Sequence, residues 1–171
     1  MTMNRAGVMV AAVVLALPAA ARAQAANGPC KPVFDAMLKE TSTPHHTVSL
    51  RGGAPQGESI STADAIYAKV DGVWQRSRMT PKDMLAQQQD NIRNVTVAAC
   101  TALPDETVDG QRTAVYRAHY ERHDAGSSDA TIWIVRATGL PIRSDVGLQA
   151  GEKTSITTRY DYANITAPVV K

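Results

Sequence analysis

The chain predicts an α+β fold: a curved antiparallel sheet of about eight strands, an unclosed half-barrel, with an N-terminal helix and a second short helix on one side. Three observations carry this expectation. Turn signals recur every 8–12 residues or so and separate short alternating runs rich in Val, Ile, Thr and Tyr. Two Asp-Gly pairs, Asp71-Gly72 and Asp109-Gly110, suit two-residue hairpin turns, in which both positions take positive φ. Helical periodicity is confined to two stretches, so strands follow strands without the βαβ alternation of a parallel sheet.

The elements follow in order. Residues 1–23 read as a secretory signal outside the fold. Arg5 supplies the positive start, Ala6 to Leu17 is an apolar run, and Pro18 ends it. Ala21-Arg22-Ala23 then places small residues where signal peptidase cuts. Ala23-Gln24-Ala25 is a competing site, so cleavage falls after Ala23 or after Ala25. The run is shorter than the roughly 20 residues a spanning helix needs, and no later run approaches that length. No transmembrane segment is therefore expected after cleavage; an uncleaved anchor is the alternative. Residues 24–171 form a single domain.

Pro32 opens a helix through Glu40, with Val33, Met37 and Phe34, Leu38 at i,i+4 spacing. Thr43-Pro44 ends it. His46 to Leu50 reads as a strand, Gly52, Gly53, Pro55 and Gly57 as a loop, and Ile60 to Val70 as a strand that Asp71-Gly72 turns into Val73 to Arg78. Thr80 is an N-cap, Pro81 takes the first helical position and Asp83 the first turn of a helix reaching about Arg93. Its middle, Gln87-Gln88-Gln89-Asp90-Asn91, is polar. The rest reads as strand: Val95 to Ala102 continuing toward Val108, Arg112 to Arg122, Thr131 to Ala137, Leu140 to Leu148 and Lys153 to Tyr162. His123 to Asp129 is a polar loop. Ala114, Tyr116, Ala118 and Tyr120 share one strand face. Thr131, Trp133 and Val135 lie opposite Ile132 and Ile134, so that strand is covered on both faces.

The chain has 171 residues, 44% of them hydrophobic, and a formal net charge of +2. This length excludes a multidomain enzyme and most cofactor-binding α/β folds. Loss of residues 1–23 removes Arg5 and Arg22 and leaves sixteen basic against sixteen acidic residues. That balance gives no electrostatic motive for nucleic acid as a partner. Cys30 and Cys100 are the two cysteines. In an exported chain they read as one disulfide, closing a loop of about 70 residues and contributing about 4 kcal/mol in chain-entropy terms. Two free thiols are the alternative. Cys30 follows Asn27-Gly28-Pro29, well past the apolar run, and lacks the preceding residues that lipid attachment needs.

Candidate chemistry is sparse. There is no phosphate-cradling glycine loop, nucleophile elbow or Cys-x-x-Cys. No catalytic pair stands out, so neither an enzyme nor a cofactor is expected. His45 and His46 are adjacent and point to opposite faces of a strand. His119, Glu121 and His123 alternate along one strand and share a face. Two histidines and a carboxylate make a weak candidate for zinc or copper, and the solvated face of a half-exposed strand carries the same pattern. Trp74 and Trp133 either pack in the core or line an apolar cavity between sheet and helices, with Met79 and Met84 as adaptable lining.

The C-terminal third carries a resemblance. Thr131-Ile132-Trp133-Ile134-Val135, then Thr138-Gly139-Leu140-Pro141-Ile142-Arg143, then a glycine turn and Thr158-Arg159-Tyr160-Asp161-Tyr162-Ala163-Asn164-Ile165 resemble the end of the LolA-like periplasmic lipoprotein-carrier superfamily, over about 35 residues. The resemblance implies an unclosed β-barrel with helices as a lid over an apolar cavity that holds acyl chains. The matched turn is structural and carries over no binding residue. Three function classes follow. The first is a soluble periplasmic protein binding a lipid, acyl or other hydrophobic ligand. The second is a cell-envelope protein-interaction module using strand edges and the loop from Gly52 to Gly57. The third is a metal-binding protein or hydrolase built on His119, Glu121 and His123.

Overall fold

A computed structural model describes residues 28–122, 126–147 and 155–170. The expected signal segment at residues 1–23, the metal candidate His123 and the expected glycine turn between Leu148 and Lys153 lie outside the described residues. Two helices are present, α1 (Lys31–Thr41) and α2 (Pro81–Arg93). The strands are β1 (His45–Arg51), β2 (Ala54–Ser61), β3 (Ile66–Val70), β4 (Val73–Arg76), β5 (Val95–Val108), β6 (Gln111–Arg122), β7 (Gly126–Val135), β8 (Pro141–Gly147) and β9 (Ser155–Asp161). They form one unclosed antiparallel sheet in the order β4-β3-β2-β1-β9-β8-β7-β6-β5. The α+β class and the open curved sheet are as the sequence implies, with nine strands in place of about eight.

The differences have local causes. The run from Ile60 to Val70 is two strands, because the Thr62 hydroxyl accepts from the Ala65 amide at 3.1 Å and the Thr62 amide donates to the Ala65 carbonyl at 2.8 Å, closing a turn between β2 and β3. The loop expected from Gly52 to Gly57 shrinks to a tight turn, with Gly52 and Gly53 at φ 57° and 86°. Pro55 and Gly57 belong to β2, beside a register shift at Ser49/Leu50 that relieves the ladder where Pro55 has no N–H. The polar loop from His123 to Asp129 gives up Gly126 to Asp129 to β7, where Asp129 pairs with His119. The sheet is also not a single meander. β1–β4 and β5–β9 are two runs of hairpins, joined where β1 pairs with β9.

The two Asp-Gly turns form as expected, with φ of 50° and 79° at Asp71 and Gly72 and 49° and 76° at Asp109 and Gly110. α1 lies over the face of β6–β8 where its apolar stripe finds small partners: Val33 and Ala36 pack on Ala118, Ala130, Ile132 and Ile134. On the opposite face Trp133 joins Val115, Val135 and Ile142. Its indole N–H donates to Glu106 at 2.8 Å, and the Arg143 guanidinium covers its ring at 4.5 Å. The strand from Thr131 is thus covered on both faces, one by helix and one by side chains of its own sheet.

Two attachments place the helices. Cys30 and Cys100 form a disulfide with Cα atoms 5.0 Å apart, joining the start of α1 to β5. It packs with Phe34 and Val95. α2 begins with a reciprocal capping box, in which Thr80 and Asp83 satisfy each other's backbone amides. No α2 residue is fully buried. Its half-buried side is Pro81, Leu85, Gln88, Asn91 and Ile92, at helical spacing. Among the described residues no helix is long and apolar enough to cross a membrane. Replacing both cysteines by serine is expected to lower unfolding stability by about 4 kcal/mol. Denaturant midpoints of the two proteins check this, and an unchanged midpoint would contradict the stapling role.

Candidate functional site

The helices do not close onto the sheet along their whole length. Between α1, α2 and the face of β6–β9 lies a cavity of about 360 Å³. Its wall is largely apolar, with Phe34 and Met37 from α1, Ile92 from the end of α2, Val95 at the start of β5, and Ile132 and Val146 from the sheet. Strand register orders the floor in rows: Arg122 beside Gly126, Tyr120 beside Ser128, Ala130 beside Val146, then Ile132 beside Ser144. Gly126 and Ile132 are six residues apart on β7, about 20 Å of strand. The small side chains of the middle rows let α1 approach there, and the polar side of α2 leaves the rest unfilled. A cleft of similar volume on the far side of α1 is more open and is edged by Asp35, Lys39 and Arg136.

One end of the cavity is a closed polar network. Glu40 Oε1 lies 2.8 Å from His45 Nε2, and His45 Nδ1 lies 2.7 Å from the Thr43 carbonyl oxygen. The Thr41 hydroxyl donates to the other Glu40 oxygen at 3.1 Å. An acceptor lies at each ring nitrogen, an arrangement that favours the imidazolium form, which donates twice. Burial opposes that charge, and the Glu40 hydrogen bond and charge with the Thr43 carbonyl more than offset it, so the His45 pKa is raised above 6.5. The rings of Tyr160 and Tyr162 flank His45 at 6.3 and 6.0 Å. Tyr162 donates to the Pro141 carbonyl at 2.8 Å, and Tyr160 meets the Ser144 hydroxyl at 3.3 Å. Burial pushes the Tyr160 hydroxyl up to about 12. Lys39 caps the neighbouring turn through the Thr138 carbonyl. The tyrosine pair and the Gly139-Leu140-Pro141 turn are therefore the seat for the last turn of α1.

The other end holds an unsatisfied group. The Tyr120 hydroxyl is buried and has no hydrogen-bond partner among the described residues. Burial raises its pKa well above 10. Its ring rests on Phe34, with centroids 5.7 Å apart. A buried hydroxyl left unpaired costs about 1–3 kcal/mol. Arg122, two residues along and on the same strand face, also borders the cavity and has no carboxylate partner among the described residues. Gln88 and Asn91 line the cavity from α2.

No family model matches the chain, and no curated protein matches it. Among solved structures it is similar to the lipoprotein LppX of Mycobacterium tuberculosis, at 12% identity over 80% of this chain and 98% of that one, with a TM-score of 0.47. It is also similar to MucB, at 17% identity over 79% of this chain and 59% of that one, with a TM-score of 0.43. The chain thus spans less than two thirds of MucB. A LolA superfamily protein of Nitrosomonas europaea aligns at 8% identity over 78% of this chain and 91% of that one, with a TM-score of 0.29. The architecture implied by the C-terminal residues, an unclosed sheet with helices over an apolar cavity, is the one the strands and helices build.

The residues expected to line a cavity lie elsewhere. Trp133 points to the opposite face, because alternation turns Ile132 and Ile134 toward α1. Trp74 sits on β4 at the far edge of the sheet, beside the Lys69 ammonium at 5.4 Å. Met79 and Met84 are each 37% exposed, before and on the outer side of α2. None of the four borders this cavity. His119 and Glu121 do come together, with Asp129: His119 Nδ1 is 2.8 Å from Asp129 and Nε2 is 3.5 Å from Glu121. These carboxylates, Asp129 foremost, raise the His119 pKa, as in a surface ion pair. Among the described residues no group of three or more His, Cys, Asp or Glu is arranged to hold a metal.

Sequence reasoning passed over Glu40, Tyr120 and Arg122. The signal available for Tyr120 and Arg122 was their place on the face shared by Ala114, Tyr116 and Ala118, which is the face under the helices. The raised His45 pKa has a consequence for stability. Its contribution is fully present below the unfolded value near 6.5 and is lost as pH rises through the folded value. The melting-temperature advantage of wild type over His45→Gln is expected to be larger at about pH 5.5 than at about pH 8.5. Thermal melts of both proteins across that range check the sign, and an advantage that grows with pH would contradict it.

Proposed function

We propose that the chain is an exported, non-enzymatic binding protein that works in the periplasm and holds the alkyl chain of an amphiphile between its helices and its sheet. The observation that carries this reading is the apolar cavity of about 360 Å³, within the size range of small-molecule sites. At roughly 30 Å³ for a group the size of a water molecule, it takes about a dozen such groups. That is one medium-length alkyl chain and not a bundle of long ones. Export is supported by the apolar run between Arg5 and Pro18 and by the disulfide, which persists in oxidising compartments. A binding role suits the polar network behind Glu40, where both nitrogens of His45 are already engaged and no free base is offered.

Titration with dansylundecanoate tests the reading. Saturable uptake of one probe per chain is expected. Val146→Trp, which fills the cavity, is expected to weaken uptake about tenfold or more, a loss of about 1.4 kcal/mol. Trp74→Ala is expected to leave it unchanged. Absence of saturable uptake would overturn the reading. Intact-mass measurement of the exported chain checks the leader: the protein is expected to begin at Gln24 or at Ala26, and a chain that begins at Met1 would contradict export.

A further inference from the structure

We propose that the occupant of this cavity is a single-chain anionic amphiphile whose carboxylate is received by the Tyr120 hydroxyl and the Arg122 guanidinium. The inference rests on the alkyl-chain reading and adds the identity of the head. The two ends of the cavity differ in what they leave unsatisfied. At the α1 end, Glu40 is taken by His45 and Thr41, and the Tyr160 and Ser144 hydroxyls face each other. One of those two hydroxyl protons is left over there, and the one carboxylate lining that end among the described residues, Glu40, meets an incoming acid with like charge. At the opposite end every polar side chain lining the cavity among the described residues carries a donor. The Tyr120 hydroxyl is buried with no partner among the described residues, and Arg122 has no carboxylate partner there. The Gln88 and Asn91 amides line the cavity from α2.

A carboxylate fits this set, because it is acceptor-only and takes several donors at once. An O–H···O⁻ bond to Tyr120 and an N–H···O⁻ bond to Arg122 are both charge-assisted, the stronger kind. Register places the two donors two residues apart on one face of β6, about 7 Å of strand, within reach of one head. The chain then runs over Ala130 and Val146 toward Ile132 and the Glu40 end, which keeps the head apart from Glu40. A cationic head meets Arg122 and finds no counter-charge at this end among the described residues.

Calorimetric titration with dodecanoate and with dodecyltrimethylammonium, below their micelle concentrations, separates the head from the chain. Dodecanoate is expected to bind about tenfold tighter or more. Tyr120→Phe and Arg122→Gln are each expected to weaken dodecanoate several-fold, and neither is expected to weaken dodecyltrimethylammonium. The free Tyr120→Phe protein is expected to melt no lower than wild type, because the hydroxyl it loses had no partner to leave behind. Equal affinity for the two heads, or dodecanoate affinity unmoved in both variants, would overturn this inference and leave the alkyl-chain reading standing. Binding of neither compound would overturn both.

Discussion

The first helix is fastened at its two ends and only lightly in between, and the rest of the molecule follows from that arrangement. At its start the Cys30–Cys100 bond ties it to β5. At its end Glu40 pairs with buried His45, and Lys39 reaches the Thr138 carbonyl. Between these points Val33 and Ala36 touch the sheet through small residues, Ala118 and Ala130. A helix free to settle would press Phe34 and Met37 against Ile132 and Val146 and fill the space with side chains, since apolar area gains by leaving water. Fastened as it is, it spans the sheet like a bridge and leaves an apolar room beneath.

The second helix makes sense in the same frame. Its polar composition looks like a poor lid, and no α2 residue is fully buried. Gln88, Asn91 and Ile92 nevertheless share the side that borders the cavity, so the wall changes from polar to apolar within one turn. The room is therefore graded: donors at the Tyr120–Arg122 end, hydrocarbon in the middle, and a self-satisfied acid–imidazole network at the far end. A uniformly apolar hole would select for size alone. This one differs between its two ends in polarity.

Much of this was legible in the sequence, and what was not has a physical reason. Asp71-Gly72 and Asp109-Gly110 set their turns through local backbone chemistry, and Thr80-Pro81 with Asp83 set the start of α2, so these elements appear where expected. Thr62 broke a strand through a hydrogen bond to a residue three positions on, which alternation patterns do not register. The pairing of β1 with β9 joins segments more than a hundred residues apart, beyond any local signal. The cavity lining was misplaced for a related reason. Trp74 and Trp133 stand out by size, and the face of the sheet that the helices cover decides which residues look inward. That face was marked by Ala114, Tyr116, Ala118 and Tyr120, and its small residue Ala118 is what α1 packs against. The disulfide was readable because only two cysteines exist, whereas the partnership of Glu40 with His45 needed the turn at Thr43-Pro44 to bring a helix end back against a strand start.

The central claim is that a guest chain lies between the helices and the sheet. Nuclear Overhauser contacts from a dodecanoate carrying carbon-13 along its chain, bound to the otherwise unlabelled protein, test it most directly. The account predicts contacts from the chain to the methyl groups of Ile132 and Val146 and to the ring of Phe34, with none to Trp133 or Trp74. Contacts to Trp133 on the opposite face, or to Trp74 at the sheet edge, with Ile132 and Val146 silent, would contradict it.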